Sequence, residues 1–164
     1  MITIHADELH NQLKAFSEKF RRTLEKGVER FAYRTADIFI QSTPYGDANK
    51  FIDLYVKREE KYGFEIRPGL AKGSWLLVTG QPVFIEEVAY DNKYGSKSQA
   101  RAQASAQEYI LGETIYLTNS VPYIQGLEQG SSKQAPQGIM DLSLNKLQRL
   151  YGLNVAKILT GEKK

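Results

Sequence analysis

The sequence predicts a single α+β domain: a small, mainly antiparallel sheet packed against a long N-terminal helix, an Ala-rich helix and a C-terminal helix. Three observations predict it. Leu9, Leu13, Phe16, Phe20, Leu24, Val28, Phe31 and Ile38 recur mostly at three- and four-residue steps, the period of an amphipathic helix. Residues 75–78, 83–88 and 114–118 are short runs rich in β-branched and aromatic side chains, the composition of strands. Ala100, Ala102, Ala104 and Ala106 stand among Gln and Arg, which favour helix.

The totals set bounds. A chain of 164 residues can bury one proper core. It shows no internal repeat and no domain boundary. Apolar residues make up 41% and charged residues 25%, the balance of a globular protein in water. No run approaches the roughly 20 apolar residues of a membrane span. Met1 to His5 lack a basic region followed by an apolar stretch, so no secretory leader is expected. The chain has no cysteine, which excludes disulfides and thiolate chemistry and suits a reducing cytosol. The net charge of +3 is spread among acids; it permits contact with nucleic acid without arguing for it.

Residues 7–42 read as one helix of roughly 50 Å, at about 1.5 Å per residue. Asp7 can cap its start. Pro44 bars its continuation and biases Thr43 away from helical geometry. Two placements stay open. One end projects beyond the core or against a neighbouring subunit, or the whole helix lies on its own sheet. Gly27 could allow a bend. Lys19, Arg21, Arg22, Lys26 and Arg30 read as a solvated face. Thr43-Pro44-Tyr45-Gly46 is a turn. Residues 47–73 are the least regular stretch, with an apolar patch at 51–56. A loop of that length is more often functional or mobile than a simple connection.

Residues 75–78 and 83–88 suggest a hairpin around Thr79-Gly80-Gln81-Pro82. Trp75, the only tryptophan, reads as a core anchor, with an exposed interface anchor as the alternative. Glu86 and Glu87 would point to opposite faces, which makes them a poor acid–base pair. Residues 91–95 are loop. Ser96 and Gln99 have capping-box spacing before the Ala-rich helix, which Tyr109, Ile110 and Leu111 would close and Gly112 end. Residues 114–118 supply a third strand. Pro122 opens a short helix carrying Tyr123, Ile124 and Leu127, and Gly130 stops it. The last helix is expected over 136–159, with Gly152 inside it marking a bend or close contact.

No motif for bond-making chemistry emerges. Gly126 to Lys133 hold glycines and a lysine at the wrong spacing for a phosphate loop. His5 and His10, the only histidines, are five residues apart, which is no helical metal pair. Nothing near His10 completes a catalytic triad. No catalytic, cofactor-binding or metal-binding residue is assigned.

One stretch does carry a signature. Asn119-x-x-Pro122-Tyr123-x-x-x-Leu127-Glu128-x-Gly130-x-Ser132-x-Gln134-Ala135-Pro136-x-Gly138 closely resembles the tail-completion (neck or minor tail) proteins of tailed phages, relatives of the Z-like tail-completion protein of lambdoid phages. Thr43, Pro44, Gly46, Lys72 and Trp75 match the family's Thr-Pro-x-Gly turn, its basic residue and the Trp that opens a strand. The resemblance covers roughly residues 43–140, with gaps through the loop. Where the family's loop carries Gly-Gly or Thr-Gly and then Arg, this chain has Pro68-Gly69-Leu70-Ala71-Lys72-Gly73. Lysine is a point charge and not a planar fork, so a bidentate role at that position does not carry over.

The resemblance implies a structural virion protein, not an enzyme, that completes the head-proximal end of the tail and helps form the head–tail junction. It would be made in the host cytoplasm and reside in the virion neck. Implied partners are a tail terminator, the tail tube or tape-measure end, the head connector, and further copies in a ring, since head-to-tail interfaces close into rings when the rotation permits. DNA would pass nearby without specific binding; no membrane and no cofactor is implied. Expected interface residues are Tyr55, Lys72, Tyr123, Glu128 and Gln134. Each has a structural alternative: Tyr123 as core, Glu128 as a helix charge, Gln134 as a loop bond. The alternatives in function are a tail-terminator ring, a head-side connector, and a DNA-binding module.

Overall fold

A computed structural model describes residues 6–47, 60–61, 66–84 and 89–152. Its elements are α1 (Ala6–Ser42), α2 (Leu70–Gly73), β1 (Trp75–Thr79), α3 (Ser96–Gln107), β2 (Ile115–Asn119), α4 (Ile124–Glu128) and α5 (Ile139–Tyr151). The fold is α+β, with the long first helix, the Ala-rich helix and the last helix packed with an antiparallel sheet. No described helix is long and apolar enough to cross a membrane.

α1 runs unbroken through Gly27. Its apolar stripe is continuous, but only its last third is core. Ala32, Ala36, Ile38, Phe39 and Ile40 are buried, while Leu9, Leu13, Phe16, Phe20 and Leu24 remain exposed. The C-terminal part packs on α3, α5 and β1. Of the two placements the sequence left open, the N-terminal half therefore stands away from the sheet. The stripe could not reveal this, because it has the same period where it meets the core and where it meets solvent.

The sheet pairs β1 with β2 in antiparallel register, Trp75 opposite Asn119, Leu77 opposite Leu117 and Thr79 opposite Ile115. The expected hairpin is corrected: among the described residues β1 has one partner, and it comes from the far side of α3. After Thr79 the chain turns at Gly80, φ +81°, and the Gly80 N–H donates to Thr114 at 2.9 Å. Pro82 to Phe84 are not strand, although the Thr118 hydroxyl donates to the Val83 carbonyl at 2.9 Å. The remainder of that expected strand, 85–88, lies outside the described residues.

α3 bridges α1 and β1. Its inward face is small: Ser98, Ala102 and Ala106 are buried, so the helix backbone can approach the sheet closely. The capping box is corrected. Gly95 stands at the N-cap with no side-chain cap, and the Asp91 carboxylate reaches in from the preceding loop to accept from the Lys97 and Ser98 N–H groups, at 3.1 and 2.7 Å. α3 stops at Gln107; Ile110 and Leu111 are exposed beyond it. α5 starts at Ile139, three residues after Pro136, and Gly152 is its left-handed cap at φ +61°. Gly152 is therefore a terminus and not the expected internal bend. Residues 153–159 of the expected helix lie outside the described residues.

The core joins the end of α1 to Ile66, Leu70, Trp75, Leu77, Leu127, Ile139 and Leu147. Phe39 meets Trp75 edge-on, with ring centroids 5.3 Å apart. The Trp75 indole N–H donates to the Thr43 hydroxyl at 2.6 Å, which donates to the Phe39 carbonyl at 2.7 Å. Trp75 is thus a core anchor whose polar tip is satisfied.

Candidate functional site

The turn after α1, the segment entering α2, and the α4 region meet around a cleft of about 310 Å3. Its apolar wall is Ile66, Leu70 and Leu127, all buried. Tyr45 and Tyr123 add aromatic surface, and Arg67, Lys133 and Gln134 are among the polar residues that line it. No acid, histidine or cysteine lines it among the described residues. A cleft so built can take an apolar or aromatic side chain and favour negative charge beside it.

Two polar devices hold the cleft's walls. The Gln134 side chain donates to the Tyr45 carbonyl at 2.9 Å and accepts from the Tyr45 N–H at 3.2 Å. The Asn119 amide donates to the Ala71 carbonyl at 2.7 Å and accepts from the Val121 N–H at 3.2 Å. The first closes residues 131–135 onto the Thr43–Gly46 turn; the second ties the end of β2 to α2. Gly69 lets the loop before α3 come close to the start of α2. It has φ +88°, and a Cβ there would lie 1.9 Å from the Asp91 carbonyl oxygen.

The four expected interface residues that are described scatter. Tyr123 and Gln134 come together at the cleft. Glu128 lies elsewhere, its carboxylate accepting from Ile139 and Met140 N–H groups at 3.0 Å each. That satisfies donors a helix start leaves unpaired, at its positive end. Gly138 at φ +92° packs against the Glu128 carbonyl. Tyr55 lies outside the described residues.

Lys72 is buried, not at a surface. Its ammonium donates to the Ile40 carbonyl at 2.8 Å, in the last turn of α1. That turn carries no basic residue of its own, so Lys72 supplies the cation that a helix C-terminus favours. Lys146 joins it, donating to Ser42 at 3.0 Å. Burial lowers the Lys72 ammonium from its ordinary 10.5; Asp91 opposes that and Lys146 adds to it. Burial alone would raise Asp91, but donors from Ser98, Lys97 and Asn92 outweigh it and hold the carboxyl below its ordinary 3.8.

Sequence reasoning missed Asp91, Tyr45 and Lys146. Asp91 caps from five positions before the first residue of α3, outside any fixed motif spacing. Tyr45 contributes backbone atoms, which no residue type announces. Lys146 acts on a residue 104 positions away. No protein-family model matches the chain, and no curated protein and no solved structure matches it either.

Proposed function

We propose that this chain is a structural virion protein that completes the head-proximal end of a phage tail and helps form the head–tail junction. One observation carries the reading beyond the resemblance itself. The two separated stretches that carry the signature, 43–46 and 119–138, form one hydrogen-bonded unit, closed by Gln134 on Tyr45 across 89 positions. Signature residues that were only neighbours in a pattern thus serve one local structure. Its cleft, walled by Ile66, Leu70 and Leu127, suits the capture of a partner's apolar side chain.

Function here is association, driven by apolar burial and complementary charge. In the neck, copies meet head to tail around a ring, and the cleft takes a segment of a neighbouring copy or of a tail or connector protein. Electron microscopy of particles made without this chain tests the reading. Filled heads beside finished-length tails that fail to join are expected, and adding the purified chain should restore joining. Normally joined particles would overturn the reading. Heads that lose their DNA would move the role to a head-side connector.

A further inference from the structure

The exposed half of α1 carries a surface that the proposed neck role does not use. Leu9, Leu13, Phe16, Phe20 and Leu24 are 47%, 59%, 67%, 56% and 41% exposed. All lie on one face, and the rings of Phe16 and Phe20 stack with centroids 6.2 Å apart. With aromatic side chains offering about 150–250 Å2 each, the five expose on the order of 500 Å2 of apolar surface. That is at the upper end of what a monomer leaves uncovered. A helix gains most of its stability from packing such a face, and this half gains little from its own domain.

We propose that the stripe is a two-fold docking surface for a second copy of this chain, with the two α1 helices antiparallel. The spacing is nearly palindromic about Phe16. Setting Phe16 against the partner's Phe16 places Leu13 beside the partner's Phe20 and Leu9 beside the partner's Leu24. On one flank the same register is charge-complementary; on the other it sets Lys14 near the partner's Arg21, whose charge is partly met by Glu25 of its own helix at 3.1 Å. Glu8 and Lys26 are about five helical turns apart, so they share one flank of the stripe. Antiparallel pairing sets Glu8 beside the partner's Lys26, and the symmetry repeats the contact. A parallel pair leaves these charges about 27 Å apart along the axis. Two such faces bury about 1,000 Å2 in total, the size of a weak, reversible interface. Opposed helix dipoles favour the same arrangement. An isologous contact of this kind is separate from a head-to-tail ring contact, so the inference stands or falls apart from the neck role.

Sedimentation equilibrium of the full chain, with disulfide trapping, tests it. The native sequence has no cysteine, so introduced thiols report without background. The expected result is a reversible dimer that Phe16→Glu converts to monomer while the core, read by the fluorescence of the buried Trp75, stays folded. Leu9→Cys mixed with Leu24→Cys should cross-link, and Leu9→Cys alone should not. Glu8→Lys should weaken the dimer roughly tenfold, the worth of two exposed ion pairs, and Lys26→Glu added to it should restore affinity. A monomer at every concentration, a dimer indifferent to Phe16→Glu, or self-cross-linking of Leu9→Cys would overturn the proposal.

Discussion

The side-chain amide of Gln134 pairs with the backbone of Tyr45 in both directions, donating at 2.9 Å and accepting at 3.2 Å. It does the work of one residue of a strand, joining segments that share no strand. Gln134→Glu keeps an acceptor but turns a carboxylate oxygen toward the Tyr45 carbonyl. Gln134→Ala instead leaves both backbone groups near water, because the site is exposed. Urea denaturation should show a loss of about 1–2 kcal/mol for Glu and a smaller loss for Ala. Equal stability of Gln134→Glu and the native chain would refute the pairing.

Asp91 gives α3 its start and should give the protein an acid limit. Its folded carboxyl titrates below the ordinary 3.8. The sign follows: the folded chain holds the proton less tightly than the unfolded chain, so the contribution is full above the ordinary value. It is lost as pH falls toward the folded one. Near neutral pH, Asp91→Asn should cost about 1–2 kcal/mol, the range for a lost helix cap. The gap between the two proteins should narrow below about pH 4. A gap independent of pH down to acid unfolding would contradict the role of the charged form.

Lys72 should act with the same sense, but at alkaline pH. Burial sets its folded value below the ordinary 10.5. Between the folded and ordinary values the unfolded chain binds a proton that the folded chain does not, so stability rises with pH there. Lys72→Met keeps most of the side-chain packing and removes the titration. The stability of the native chain relative to Lys72→Met should therefore increase as pH rises through that window. A decrease would mean that the Ile40 carbonyl holds the cation more strongly than burial repels it.

Gly138 has no room for a side chain. Its φ is +92°, and a Cβ would meet the Glu128 carbonyl oxygen at 2.3 Å. Gly138→Ala should cost about 1–3 kcal/mol from backbone strain, and further from displacing Glu128 from the start of α5. Thermal denaturation of Gly138→Ala beside Glu128→Gln separates the two. The glutamine variant loses only the charge at the helix start, about 1 kcal/mol. A Gly138→Ala protein as stable as the native one would show that the close approach is relaxed in solution.

What was legible in the sequence follows the range over which each signal acts. The stripe of α1, the strand character of β1 and β2, and the stops at Pro44 and Gly130 depend on residues a few positions apart. They could be read directly. β1 was assigned the wrong partner because local composition marks a strand but says nothing of which edge it meets. Gly152 looked internal because the apolar period continues beyond it; its positive φ is a backbone fact. At the site, Tyr123 and Gln134 both line the cleft, yet Lys72 and Glu128 serve helix ends. A lysine at a surface and a lysine under a helix terminus have the same letter. Only the fold supplies the carbonyl of Ile40.

The C-terminal end of α1 is set by residues from elsewhere in the chain. Lys72 reaches Ile40, Lys146 reaches Ser42, and Trp75 holds Thr43. During synthesis α1 is complete in sequence before any of these residues exists. Its first turns can form at once, since helix growth needs only local bonds. Its last turn gains its side-chain contacts only later, the one from Lys146 to Ser42 spanning 104 positions. The first helix is therefore complete in sequence early, and the side chains that hold its C-terminal end are complete only once α5 has been made.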